Sequence, residues 1–583
     1  MKTNNKLQAI INNKYLPYAV IIFIGIIIII PLFTMNLSEL NEFRIHIGRI
    51  TSVKEIIEDG IFPPFISYKH MLTFGYALNI FYGSLTTYIP VIISIVTDST
   101  TMALKIFTLI TVILSGITMY IFVYKVTNRK TVGLISALVY MVAPYKFTDI
   151  YARNAVGEYT AFIFIPMIFF GIYELMNTKK KGNYWLVAGG VLLILSHTIT
   201  TIYTAIFAIL FIIFNYKKTI NWTFWKSIII DLLLILLLTS FYTIPLIEHK
   251  LYGDYLIYDA DAMNSNAQWV YQNTNNPHDW IQNEFLHSET PHEDLIFSFG
   301  VVITFLTVIS IFCYKKMDNK YKDMYIVFFI LAILSLFMTT KAFPWLLMPQ
   351  VLTVIQFAWR LNGFFIFFIS LICGINAIIL TNMITQIINQ KKDKSKIGNL
   401  HHSNIYILIT IIIAISTVGW FNASPYIKQF DSEVDKQFEK NILEAESIGP
   451  YNVNRDYLPL ATMNNIKYLQ SRENKSYIIN GNATIINENK DKLNYKAEIK
   501  DVQDATLELP YLYYHGYKVT LNGNELKTYE DDKGFLCVDA KEAGNLEVEY
   551  IGTLIEKAGF MISFIGLIGL IASIFYKNLH KSI

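Results

Sequence analysis

The chain has 583 residues, of which 53% are hydrophobic, 15% aromatic and only 16% charged, and its mean hydropathy is +0.39. Soluble domains carry about 25% charged residues, so the composition excludes a soluble enzyme. A net charge of +3 equally excludes a chain dominated by a nucleic-acid-binding basic surface or an acidic tail.

A helix that crosses a bilayer needs about 20 apolar residues. Twelve stretches are read as spans: 16–35, 102–124, 131–145, 160–176, 184–199, 201–216, 226–247, 295–313, 324–341, 361–383, 405–420 and 557–576. No small-residue cleavage site follows Met35, so the first is expected to be an uncleaved anchor with the N-terminus in the cytosol. With that parity every inner loop is basic, and the inner segments together hold 22 Lys and Arg. Both termini are then cytosolic. The apolar stretches 84–97 and 344–359 each contain proline and would invert the later basic loops if they crossed. They are expected to be surface or re-entrant segments, a backbone tolerated only inside protein or along a wet cavity.

The expected fold class is an α-helical polytopic membrane protein of about twelve spans with a C-terminal extracytoplasmic β-sandwich-like domain. Its parts are a transmembrane domain over 1–420 with outer loops 36–101, 145–159 and 248–294, a β-rich domain over 421–556, and a final helix with a cytosolic tail over 557–583. Alternating segments from 475 to 550, with turns at Asn480-Gly481 and Asn522-Gly523, predict antiparallel strands, and 427–447 reads as a polar helix. Cys313, Cys373 and Cys537 are far apart and form neither a disulfide framework nor a CxxC motif.

The first outer loop contains NLSELNEFRIHIGRITSVKEIIEDG. A surface helix over 40–58 would set Glu42, His46 and Arg49 on one face at i, i+4 and i+7. An acid, an imidazole and a guanidinium at the membrane lip suit an anionic lipid headgroup; the plainer alternative is a solvated stripe. The second cluster, APYKFTDIYARNAVGEYTAF, holds Asp149, Arg153 and Glu158. A guanidinium there matches a lipid phosphate, while Glu158 also suits simple dipole stabilisation at a helix start. His197 in LLILSHTITTIY and Arg360 in IQFAWRLNGFF lie near the outer ends of spans, where ionisable groups are functional candidates. Loop 248–294 is rich in Trp, Asp and His, but His278, Asp279, His287 and His292 lack a recognised metal-ligand spacing.

In this order, the acid-x-x-x-His-x-x-Arg helix after a long span, GIFPP, GYALNIFYGSLTTYIP, APYKFTDIYARNAVGEYTA, LSHTIT, SFYTIPLIE, IQFAWRLNGFF and LPYLYYHGYKVTLNG resemble the bacterial YfhO-like proteins of the GT-C membrane glycosyltransferase superfamily. The resemblance implies a multispanning plasma-membrane enzyme that moves a sugar from a polyprenyl-phosphate donor to a cell-envelope glycan or glycopolymer acceptor. It implies that the first-loop acid, here Glu42 where the family pattern has Asp, is the general base, with His46 and Glu158 beside it as catalytic groups. Arg49, Arg153, Arg360 and His197 would then bind the donor phosphate. No cofactor is required by this scheme; a divalent metal on Glu42, Asp149 and Glu158 is the lesser possibility. A flippase of lipid-linked saccharide and a non-catalytic glycan-binding envelope protein, using Tyr511, Tyr513, Tyr514 and Tyr517, are the competing readings.

Overall fold

The computed structural model describes residues 13–36, 42–178, 182–281, 297–390 and 455–579, with single positions at 434 and 437. Among the described residues seven helices are long and apolar enough to cross a membrane: Leu16–Phe33, Thr100–Thr127, Val156–Asn177, Trp222–Tyr252, Asn319–Met338, Ala358–Ile384 and Leu554–Ala572. An eighth span is available if Lys130–Val142 and Pro144–Arg153, bent by 48°, count as one. The described residues thus supply seven such helices, or eight with the bent pair.

Local chemistry shapes the shorter apolar stretches. The expected spans 184–199 and 201–216 are the helices Tyr184–Ile194 and Thr198–Phe214, both under 18 residues, and His197 between them caps the second by accepting the Thr200 N–H at 3.3 Å. The stretch 295–313 divides into Gly300–Val308 and Ser310–Lys315. Segment 84–97 forms the short helix Leu85–Thr97, and 344–359 is three brief turns. The expected span at 405–420 and helix at 427–447 lie outside the described residues, isolated positions aside.

The chain divides into two compact units. The first comprises Met1–Phe43, Thr101–Leu232 and Ser265–Lys436. At its centre the Asn362–Gln390 helix packs on Lys130–Val142 and Asn319–Met338. Its Gly374 permits that approach, because a Cβ there would lie 2.1 Å from Ser136 Oγ and 2.8 Å from the Val132 carbonyl oxygen. Phe122, Phe169, Phe328, Phe367 and Phe368 interlock around the same helix. Asn376 supplies polar glue: its side chain donates to Leu306 O at 2.8 Å and accepts from Tyr325 OH at 2.8 Å.

The second unit comprises Arg44–Thr100, Leu233–Asn264 and Gln437–Ile583. Its seven strands, β1 (Tyr477–Asp491), β2 (Asn494–Leu512), β3 (Tyr517–Leu521), β4 (Asn524–Leu526), β5 (Thr528–Glu530), β6 (Phe535–Ala540) and β7 (Gly544–Tyr550), form one antiparallel sheet of order β4-β3-β7-β2-β6-β5, with β1 on β2. The expected strand-rich C-terminal domain is present, but as a single sheet in place of the sandwich. A single 19-residue strand, β2, gives its first half to β7 and its second to β6, and the sheet curls until β3 nears β5 and β4 nears β6, which makes it barrel-like. Asn522-Gly523 does turn the β3–β4 hairpin, with φ of 52° and 83°. Asn480-Gly481 does not turn the chain; it is a bulge inside β1 where a Cβ on Gly481 would sit 2.1 Å from Asp504 O.

Residues 44–100 share a core with this sheet. Tyr457 N–H donates to Tyr76 OH at 3.2 Å, Leu512 N–H to Phe74 O at 2.9 Å, and Tyr514 OH to Tyr457 O at 3.1 Å, while Phe81 stacks on Tyr457 at 5.2 Å. Tyr511, Tyr514 and Tyr517 are buried in that core and Tyr513 is half-buried, so three of these four rings are not available for stacking on a glycan. Arg472 and Glu508 form a fully buried ion pair at 2.6 Å, with Lys533 Nζ 3.3 Å away.

Candidate functional site

The site forms where the Lys130–Val142 helix is interrupted. Pro144 forces Ala143 into the extended region, with ψ 129°, and the chain resumes as Pro144–Phe147 and then a π-helical turn, Thr148–Arg153. Such turns are rare and frequent at functional sites. Asn154, at φ 55°, closes the turn, and the Ala155 N–H returns to Asp149 O at 2.8 Å. The Val156–Ala161 helix then begins, with Glu158 in its first turn.

This geometry directs three carboxylates at one guanidinium. Arg153 Nη1 donates to Asp149 Oδ1 at 2.7 Å and to Glu158 Oε2 at 2.9 Å, and its Nη2 donates to Glu42 Oε1 at 3.0 Å. The Glu42 N–H also donates to Arg153 O at 2.8 Å, which fixes the chain entering the next helix. Arg360 Nε lies 3.6 Å from Glu158 Oε2, and Tyr145 OH donates to Glu158 Oε1. The Arg153 guanidinium rests over the Trp359 ring at 4.6 Å, a cation–π contact that also shields it from solvent.

Exposure separates the roles open to these acids. The Asp149 and Glu158 side chains are 0% and 4% exposed, whereas Glu42 is 34% exposed. Glu42 is thus the carboxylate of the cluster most open to solvent. Asp149 Oδ2 is buried without a hydrogen-bond partner. Arg360 is held by its Nη1 bonds to Ile355 O at 3.0 Å and Gln356 Oε1 at 2.8 Å, and with Glu158 it borders a small cavity lined also by Thr200, Tyr203 and Phe364.

The remaining sequence-derived candidates fall elsewhere. His197 does not touch the carboxylates; its Nδ1 holds Thr200 Oγ1 at 2.7 Å, so it positions one wall of the cavity. His46 and Arg49 belong to the second unit. There Arg49 lies over Tyr82 at 3.8 Å and donates to Gly83 O at 3.1 Å, and His46 meets the edge of the same ring at 6.0 Å. The shared helix face expected for Glu42, His46 and Arg49 is not formed, because the helix spans Phe43–Glu58 and Glu42 sits in the turn before it, drawn to Arg153. Of the loop residues weighed as metal ligands, His287 and His292 lie outside the described residues; in the same loop Asp259 caps its own turn through the N–H groups of Asp261 and Ala262 at 3.0 Å.

Two contributors escaped the sequence reading. Tyr145 and Lys146 lie in the APYKF segment, but nothing in its pattern marks the tyrosine as the donor to Glu158 or the lysine as buried over the Tyr140 ring at 3.3 Å. The only hint is their place beside Asp149.

Residues 80–427 match the model of a family described as 6-pyruvoyl-tetrahydropterin synthase related domain, membrane protein. An uncharacterized protein of Lactococcus lactis subsp. cremoris (strain MG1363) is 27% identical over 345 residues, covering 56% of this chain and 54% of that protein. The match thus spans about half the length of this relative. The family match includes Asp149, Arg153, Glu158, His197 and Arg360 and begins after Glu42. Apolar helices of spanning length and this match agree, and the chain belongs to the 6-pyruvoyl-tetrahydropterin synthase related family of membrane proteins.

Proposed function

We propose that the protein is an integral-membrane glycosyltransferase of GT-C type, with up to twelve spans, in the bacterial plasma membrane. It takes a sugar from a polyprenyl-phosphate donor and passes it to an extracytoplasmic glycan or glycopolymer. In this reading residues 1–420 form the catalytic membrane domain, 421–556 an extracytoplasmic domain, and 557–583 the last span and a cytosolic tail. The observation that carries it is the convergence of Glu42, Asp149 and Glu158 on Arg153, with Arg360 beside Glu158 and only Glu42 substantially open to solvent.

Glu42 acts as general base. The acceptor hydroxyl attacks the anomeric carbon, the new C–O bond forms as the bond to the donor phosphate breaks, the electron pair leaves on the phosphate, and the hydroxyl proton passes to Glu42. A single displacement inverts the anomeric configuration. Arg153 serves chiefly to position the carboxylates, since both of its terminal nitrogens are engaged by them. Arg360 is the better-placed cation for the leaving phosphate. The three carboxylates do not fit a metal in this arrangement, because the guanidinium fills their common centre and a dication would have to displace it.

The test is release of polyprenyl phosphate from a panel of polyprenyl-phosphate hexoses by the full chain in vesicles. Glu42→Gln keeps the side chain's size and an oxygen for Arg153, and is expected to lower turnover by about 10²–10⁴-fold, the usual worth of a general base. Full activity of that variant, or transfer of the lipid-linked sugar across the vesicle without any bond being formed, overturns the proposal.

A further inference from the structure

A second cluster of ionisable groups lies within the second unit and has no part in the chemistry proposed above. Glu248 and His249 stand near the end of the Trp222–Tyr252 helix, and Glu556 opens Leu554–Leu579. They are 4%, 0% and 0% exposed, and one potential ligand atom from each lies within 4.8 Å of the others.

Two carboxylates are buried here without a lysine or arginine. Among the described residues their ion-pair partners are imidazoles: His249 Nδ1 is 3.9 Å from Glu556 Oε1, and His515 Nε2 is 3.8 Å from Glu248 Oε1. A buried carboxyl group either keeps its proton or is compensated by a cation. The histidine is set up to help supply one through a metal. Its Nδ1 lies 3.0 Å from Pro245 O, while Nε2 is buried with no hydrogen-bond partner. A metal-binding imidazole has this form, donating one N–H to a backbone carbonyl and presenting the other nitrogen's lone pair. The carboxylates are steadied in the same manner: Thr553 Oγ1 donates to Glu248 Oε2 at 2.6 Å, the Thr553 N–H to Glu556 Oε2 at 2.8 Å, and Tyr550 OH to Glu556 Oε1 at 3.2 Å.

We propose that Glu248, His249 and Glu556 bind one divalent transition metal of the zinc class, with water or His515 completing the shell. One imidazole and two carboxylates suit zinc; calcium and magnesium call for six or more oxygens. Tetrahedral bonds of about 2.0–2.2 Å set ligand atoms about 3.4 Å apart, so the cluster closes onto the ion by side-chain adjustment. The His515 ring stacks on Tyr252 at 5.0 Å and its side chain is 38% exposed, with Nε2 already 3.8 Å from Glu248 Oε1. The metal would join the end of one apolar helix to the start of another, directly after β7.

The experiment uses the full chain, tag removed, purified in detergent, stripped with chelator and titrated with Zn²⁺ and with Co²⁺. The expected result is about one equivalent bound, visible d–d absorption from four- or five-coordinate Co²⁺, and a higher thermal midpoint with Zn²⁺ but not Mg²⁺. Glu248→Gln and His249→Ala should each weaken Zn²⁺ binding at least about tenfold, the lower end of what even outer-shell changes cost. If His249→Ala fails to fold, the wild-type cobalt spectrum and Glu248→Gln carry the test. A wild-type protein with no saturable cobalt spectrum, or a folded Glu248→Gln variant with unchanged affinity, overturns the assignment.

Discussion

Replacing Arg153 with methionine removes the cation that three carboxylates share while keeping an apolar side chain against Trp359. In the native cluster Glu42, Asp149 and Glu158 face Arg153 and Arg360, a formal charge of −1; the variant leaves −2. Asp149 and Glu158, at 0% and 4% side-chain exposure, have no water to turn to. Removing one partner of a buried ion pair costs about 3–5 kcal/mol, whereas hydrogen bonds between membrane helices average about 0.6 kcal/mol. An ionic cluster therefore predicts a loss of at least about 3 kcal/mol, measured by equilibrium unfolding of the full chain in mixed micelles. The second substitution Asp149→Asn should recover part of that loss, because it neutralises the most buried acid and restores −1. Glu42→Gln should recover less, since Glu42 at 34% exposure is already partly hydrated. A loss below about 1 kcal/mol, or equal rescue by the two second-site changes, would refute the ionic account.

Arg360→Gln should raise the KM for the lipid-linked donor at least about tenfold, equivalent to about 1.4 kcal/mol of binding, with a smaller effect on kcat; the reverse pattern in steady-state kinetics would remove Arg360 from donor binding. Burial, reinforced by Asp531 and Asp254, pushes Glu530 up to about 7 from an ordinary 4.5. The unfolded chain thus ionises first, so this group favours the folded state at low pH and loses that contribution as pH rises from 4.5 towards 7. Glu530→Gln should gain stability relative to the parent across that window, and a constant difference between the two unfolding curves would contradict it. Gly374→Ala places a methyl group 2.8 Å from the Val132 carbonyl oxygen and should cost about 1–3 kcal/mol in the same unfolding assay; an unchanged midpoint would mean the helices separate freely.

What was legible followed from local pattern. Asp149, Arg153 and Glu158 lie within ten residues, so any compact turn would bring them together, and the basic loops and apolar runs identify a polytopic membrane protein. The arrival of Glu42 at Arg153 joins residues 111 apart in sequence, and only the family resemblance anticipated it. Helical spacing misplaced His46 and Arg49 because it assumed Glu42 was part of the helix, while tertiary contact with Arg153 holds that residue in the preceding turn. The runs 184–199 and 201–216, read as separate on either side of His197, form the helices Tyr184–Ile194 and Thr198–Phe214, and the cap that fixes the turn between them is a side-chain hydrogen bond that hydropathy does not register. In the strand-rich region Asn480-Gly481 carries the usual hairpin signal, but the close approach of Asp504 O makes it a bulge. Local propensity yields there to pairing along the whole of β2.

The core that joins Phe74, Tyr76 and Phe81 to Tyr457, Leu512 and Tyr514 has a consequence for how the molecule is made. These partners are separated by some 381 positions in the case of Tyr76 and Tyr457. During synthesis the early segment can meet Tyr255 and Tyr258 first, through Phe81, but its packing is completed only when the strands have followed. Its burial is therefore a late checkpoint on assembly. A chain interrupted anywhere before residue 455 lacks Tyr457, Leu512 and Tyr514 and leaves that side of the core open, however well its helices have inserted.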